Sequence, residues 1–158
     1  MQEYPKSFTR EEMLVSATGV RLGIKNIPHS QEVERNICLM ANVLQDLRDK
    51  LAAAYGKELP ITVLSCYRSA ELNKAVGGSK SSAHLRGLAA DIRVKGLTSS
   101  ELAHFIRVNM KYDQLILEFP SSANTWCHLG ITEDASKYRQ QSLIAEKVKG
   151  VTKYSLAN

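Results

Sequence analysis

A chain of 158 residues is long enough to bury the core of one domain without disulfides or a structural metal, so one domain is the expectation. Hydrophobic residues at 44% and charged residues at 23% are ordinary globular proportions, which exclude a disordered tract and a fibrous repeat. The formal net charge of +5 would draw a polyanion, but lysines and arginines are spread along the chain without the aromatic-basic pattern of nucleic-acid modules, and nucleic acid is not an expected partner.

Thr9-Arg-Glu-Glu12 has the form of a capping box and predicts a short helix ending before Gly19. A turn-rich stretch through Gly23, Asn26 and Pro28 follows. Val33, Ile37, Met40, Leu44, Leu47, Leu51 and Ala54 then recur every three or four residues, which predicts one long amphipathic helix stopped at Gly56. Ile61 to Tyr67 is β-branched and apolar and reads as a buried strand. Ser69 can cap a short helix that stops at Gly77-Gly78, and Leu88 to Val94 reads as a second strand. Thr98-Ser-Ser-Glu101 is another capping box, opening a helix through Leu102, Phe105 and Ile106. Tyr112 to Phe119 and Trp126 to Ile131 are the third and fourth strands, and the short polar Pro120–Thr125 link suits an antiparallel hairpin.

After about Glu133 the periodicity weakens and Lys137, Arg139, Lys147, Lys149 and Lys153 dominate. The expected organisation is therefore a domain over 1–133 and a peripheral basic tail over 134–158 with a helical turn or two. No apolar run approaches the ~18 residues of a membrane span, and the start of the chain lacks the apolar segment of a signal peptide, so no span and no signal peptide are expected. Cys38, Cys66 and Cys127 form neither a CxxC pair nor an even disulfide framework and read as structural thiols.

Strand alternation sorts the faces. Ala90, Ile92, Val94, Leu115, Leu117, Phe119, Cys127, Leu129 and Ile131 share an apolar side, whereas Asp91, Gln114, Glu118, Trp126 and His128 take the opposite phase. The expected fold is thus α+β, a small antiparallel sheet with helices on one face and a site on the other.

His84 and Asp91 are seven positions apart, and on a continuous helix they would sit ~10 Å apart along the axis, too far to share one ion. Gly87 permits a tight turn between them, so that Asp91 arrives on a strand while His84 stays in the preceding loop. His128, on the Asp91 face of its own strand, is the available third ligand. Two imidazoles and one carboxylate suit a single Zn2+, with a fourth position left for water. Cys127 cannot pair with His128 as a nucleophile, because adjacent strand residues point to opposite faces. His29, in a turn, and His104, within a helix, have no partners at ligand spacing.

Ser82-Ala-His84-Leu-Arg-Gly87-Leu-Ala89-Ala-Asp91 resembles the SxHxxGxAxD signature of zinc D-Ala-D-Ala carboxypeptidases and related murein endopeptidases, and Trp126-Cys-His128 resembles their WxH ligand strand. Tyr67-Arg68-Ser69, Asn73 and Gly77-Gly78 resemble the YRS, Asn and GG segment of the same family. The resemblance runs from about Phe8 to Ile131. It implies the fold shared by these enzymes and Hedgehog signalling domains, and a peptidase acting on peptidoglycan peptides. Many members place an acidic general base three positions before the last histidine, where this chain has Thr125. The nearest carboxylate on the correct face is Glu118, a layout similar to the Hedgehog-like branch, and Glu118 is the expected base. Arg68 is expected to stabilise the oxyanion or grip a substrate carboxylate. Ser82 positions substrate or caps a turn, Trp126 stacks on substrate or packs beside the metal, and Tyr67 is placed with them as a substrate-binding residue.

The expected protein is a monomeric enzyme of the bacterial wall, reaching it after release or as a phage or prophage product. The alternatives are a non-catalytic, zinc-stabilised wall-binding module and a cytoplasmic D-Ala-D-Ala dipeptidase.

Overall fold

The computed structural model describes residues 3–157. Its longest element is α3 (Gln31–Tyr55), started by the Ser30 hydroxyl accepting from the Val33 amide and ended at Gly56, as the periodicity requires. Val33, Ile37, Met40, Leu44, Leu47 and Leu51 on one side of this helix are buried. Each leucine so covered contributes about 1.5–3 kcal/mol relative to exposure. These residues form one cluster with Ala90, Ile92, Val94, Leu115, Cys127, Leu129 and Ile131, the predicted apolar side of the sheet.

Among the described residues the sheet has six strands, β1 (Ile61–Ser65), β2 (Ala89–Val94), β3 (Gln114–Glu118), β4 (Trp126–Gly130), β5 (Gln141–Val148) and β6 (Val151–Leu156), in the order β1-β2-β4-β3-β5-β6. Every neighbouring pair is antiparallel except β3 with β5. The fold is α+β, and the first four strands lie where alternation placed them. α4 (Ala70–Ala75) is capped by Ser69, and α5 (Ser99–Asn109) opens with a complete capping box between Thr98 and Glu101.

The elements depart from the sequence-based expectation in the first helix and in the last segment. The helix after Thr9 is broken into α1 (Arg10–Leu14) and α2 (Ala17–Leu22), because Ser16 turns extended and caps a new start by accepting from the Gly19 amide. Gly19 therefore lies inside a helix, and Gly23 ends it. The segment after Glu133 is also no helical tail. Beyond the single 3-10 turn Ala135–Lys137, it forms a hairpin that extends the sheet at the edge beyond β3. Lys149 and Gly150, both at positive φ (53° and 78°), make the two-residue turn between its strands, a geometry matched to strand twist. Among the described residues, no helix is long and apolar enough to cross a membrane.

Candidate metal centre and active site

Asp91 on β2 stands directly opposite His128 on β4, so both side chains leave the same face of the sheet. His84 reaches them from the 3-10 turn Ala83–Arg86, which begins where the Ser82 hydroxyl accepts from the His84 amide and ends at Gly87. Gly87 has φ 72°, and a Cβ there would lie 2.6 Å from Ile37 Cγ1 on α3. Only glycine combines that backbone with so close an approach, and the result presses the turn carrying His84 onto the long helix. Asn36, buried on α3, secures it further by donating to the Arg86 carbonyl at 3.1 Å and to Glu133 Oε1 at 3.0 Å.

The three predicted ligands come together. One ligand atom from each of His84, Asp91 and His128 lies within 4.8 Å of the others. Asp91 Oδ1 is 3.3 Å from His84 Nε2 and 3.1 Å from His128 Nδ1. Donors arranged tetrahedrally about zinc at ~2.0–2.1 Å sit about 3.3 Å from one another, so the set fits this ion with little rearrangement. His84 Nδ1 lies 2.6 Å from the Cys66 carbonyl, to which it donates; this fixes the tautomer and leaves Nε2 free to bind a cation. Burial holds His84 below the usual histidine value, keeping it neutral as a ligand must be. Burial pushes the Asp91 carboxyl up, but the two adjacent imidazoles outweigh it and hold the group well below the usual carboxylate range.

A family model described as Peptidase M15 matches residues 6–130. The chain belongs to the peptidase M15 family. M15 peptidases depend on zinc, and this chain is accordingly a metallopeptidase whose His84, Asp91 and His128 could hold the ion. No curated protein matches the sequence. The matched residues end before β5 and β6.

Other predicted residues of this M15 site take definite positions. Glu118, at the end of β3, pairs with Trp126, while His128 pairs with Ile116. Glu118 and Trp126 therefore share the metal face, one step along from His128. Ile116 is the apolar member of that face that alternation alone passed over. Burial, with Asp91 adding to it, pushes the Glu118 carboxyl up to about 6 against a smaller opposing effect of His128. Arg68 follows β1; its Nη2 is 3.4 Å from Ser82 Oγ, and its Nε is buried without a hydrogen-bond partner among the described residues. Burial lowers the guanidinium's affinity for its proton, and Asp91 partly restores it. Ser82 thus caps the His84 turn and meets Arg68. Trp126 packs edge-on against Phe119, with ring centroids 5.6 Å apart.

Tyr67 stands elsewhere. It is 2% exposed, and its hydroxyl donates to the Ile27 carbonyl at 3.2 Å. The ring belongs to the buried core, which leaves it almost no surface to offer a substrate. Asn26, read from sequence only as a turn residue, organises the same loop. Its amide donates to the carbonyls of Leu14 and Tyr67, and its oxygen accepts from the Ser69 amide at 2.7 Å, bracketing Arg68. Cys127 Sγ faces the Ser99 carbonyl at 3.2 Å, on the side of the sheet away from His128.

Proposed function

We propose that this metallopeptidase binds one zinc per chain through His84, Asp91 and His128 and hydrolyses peptide bonds in peptidoglycan stem peptides or their cross-links. The observation that carries the catalytic reading is the half-buried Glu118 carboxyl on the metal face, one step from His128. A module that only bound the wall would need no such group beside its ion. The substrate class follows from the resemblance of the segments around Arg68, His84, Asp91 and His128 to murein peptidases, and the net charge of +5 suits an anionic wall.

When bound, zinc supplies a Lewis acid that polarises the scissile carbonyl and makes water a nucleophile at neutral pH. Glu118 takes the proton that the attacking water gives up and passes it to the leaving amine. With a value near 6, the group is ionised at neutral pH and yet basic enough to accept. Arg68, its Nε unpaired beside Asp91, offers a guanidinium to the developing oxyanion or to a substrate carboxylate. The wall is reached after release from a cell or as a phage or prophage product.

Purified protein incubated with isolated peptidoglycan, with and without zinc, tests this reading. Zinc-dependent release of fragments with new amino and carboxyl termini is expected. Intact peptidoglycan after incubation with zinc-loaded protein would overturn it.

A further inference from the structure

The β5–β6 hairpin extends the metal face, not only the sheet. Register alone establishes this. Ile116 pairs with Leu143 and Glu118 with Ala145 across β3 and β5, and Leu143 pairs with Leu156 and Ala145 with Tyr154 across β5 and β6. One row on this face therefore runs His128, Ile116, Leu143, Leu156, and the next runs Trp126, Glu118, Ala145, Tyr154. Strands lie ~4.8 Å apart, which puts the Tyr154 backbone about 10 Å from that of Glu118. Ala145 between them is fully buried and has no side chain beyond Cβ, so the phenol can lean across it. Tyr154 lies within electrostatic reach of Glu118: burial raises the phenol, and the Glu118 carboxylate raises it further.

The hairpin is also tied to the loop after Glu118. The Phe119 amide donates to the Ala145 carbonyl at 2.8 Å, and Glu146 Oε1 accepts from the Ser121 amide and hydroxyl at 3.1 and 2.7 Å. Yet Tyr154 is 59% exposed and Leu156 72% exposed. Two large side chains stand uncovered at the far end of the rows that lead, across the buried Ala145 and Ile116, to the metal site. Their register with the row that carries Glu118 makes them the part of this face left free to take a ligand.

We propose that the hairpin is the rest for the peptide substrate on the Glu118 side of the metal, with Tyr154 as a substrate-binding residue whose ring packs against the chain flanking the scissile bond. This rests on the peptidoglycan reading above. It also makes the occupant a peptide long enough to extend two strands beyond Glu118, to β6, so short substrates do not use the hairpin.

The test compares wild type with Tyr154→Ala and Tyr154→Phe, each checked for zinc content and melting temperature. Two measurements are made: steady-state kinetics (KM and kcat) on a full stem peptide and on a D-Ala-D-Ala dipeptide, and Kd of the metal-free protein for the stem peptide. Tyr154→Ala should raise KM and Kd for the stem peptide roughly tenfold, as loss of one aromatic contact implies. Its kcat, zinc content and dipeptide kinetics should stay unchanged, and Tyr154→Phe should restore KM. Wild-type binding and cleavage with no change in Tyr154→Ala would overturn the hairpin proposal alone. So would a Phe variant as weak as Ala, or a loss confined to melting temperature. A wild type that neither binds nor cuts the stem peptide would overturn the peptidoglycan reading and the hairpin with it.

Discussion

Replacing Glu118 by Gln keeps the side chain's size and removes both its charge and its capacity to accept a proton, so it separates catalysis from folding. Folding moves the carboxyl from 4.5 up to about 6, chiefly through burial. At ~1.36 kcal/mol per pH unit that gap is worth about 2 kcal/mol, and solvent screening of a partly exposed group reduces it to about 1 kcal/mol. The sign is fixed by the direction. An acid raised by folding is protonated in both states below pH 4.5, costs progressively more as the pH climbs to about 6, and carries the full penalty above that. Metal-free Glu118→Gln should therefore be more stable than wild type at pH 7.5 by about 1 kcal/mol, or about 2–4 °C in melting temperature for a chain of this size. The gain should vanish at pH 4. Zinc-loaded, the same variant should keep its metal and lose roughly 10²–10⁴-fold in kcat. Thermal melts at the two pH values, metal analysis and kinetics read all three effects. A variant less stable at pH 7.5, or one whose difference from wild type is flat in pH, would refute the burial argument. A fully active variant would refute the assignment of the base, and one without zinc would make Glu118 a ligand.

His84→Ala and His128→Ala should each lose most of the bound zinc, and full occupancy by metal analysis in either would remove that residue from the ligand set. Arg68→Ala should lower kcat/KM by roughly 10²–10³-fold, the range for loss of one oxyanion donor, while the melting temperature stays nearly unchanged. Its Nε has no partner to orphan, and the bond from its backbone amide to the His84 carbonyl survives the substitution. An unfolded or fully active variant would count against this role. Gly87→Ala should destabilise by about 2–5 kcal/mol, from the left-handed backbone and the collision with Ile37. A melting temperature equal to wild type would mean that the His84 turn is not held as described.

The cluster of His84, Asp91 and His128 was legible in the sequence because short-range rules place each member. Gly87 forces a turn, and strand alternation then sets Asp91 and His128 on one face with Glu118. α3 was legible because one uninterrupted stripe serves one core. The break between α1 and α2 was not, since the two-residue interruption at Val15-Ser16 leaves a helical pattern nearly intact; Ser16, a good cap, was its only mark. β5 and β6 were hidden because β5 is only partly buried and β6 is largely exposed, and Lys147 and Lys153 break the period-two pattern that burial on one face imposes. Lys149-Gly150 between Val148 and Val151, a two-residue turn flanked by paired strand ends, was the available signal. Tyr67 was misplaced for the opposite reason, because its neighbourhood in the motif said nothing about which way its ring would turn.

The parallel pairing of β3 with β5 has a consequence for how the chain is made. β3 carries the proposed base, and one of its edges is covered by β4, which follows it directly. Its other edge waits for Gln141–Val148. At ~5–20 residues per second, synthesis of the stretch from Glu118 to Val148 takes roughly 2–6 s, during which β3 is an open template on the ribosome. The exposed partner is Gln114-Leu-Ile-Leu-Glu118, three apolar residues between two polar ones. Released chains truncated before Gln141 should therefore self-associate, and released chains that run past Leu156 should not.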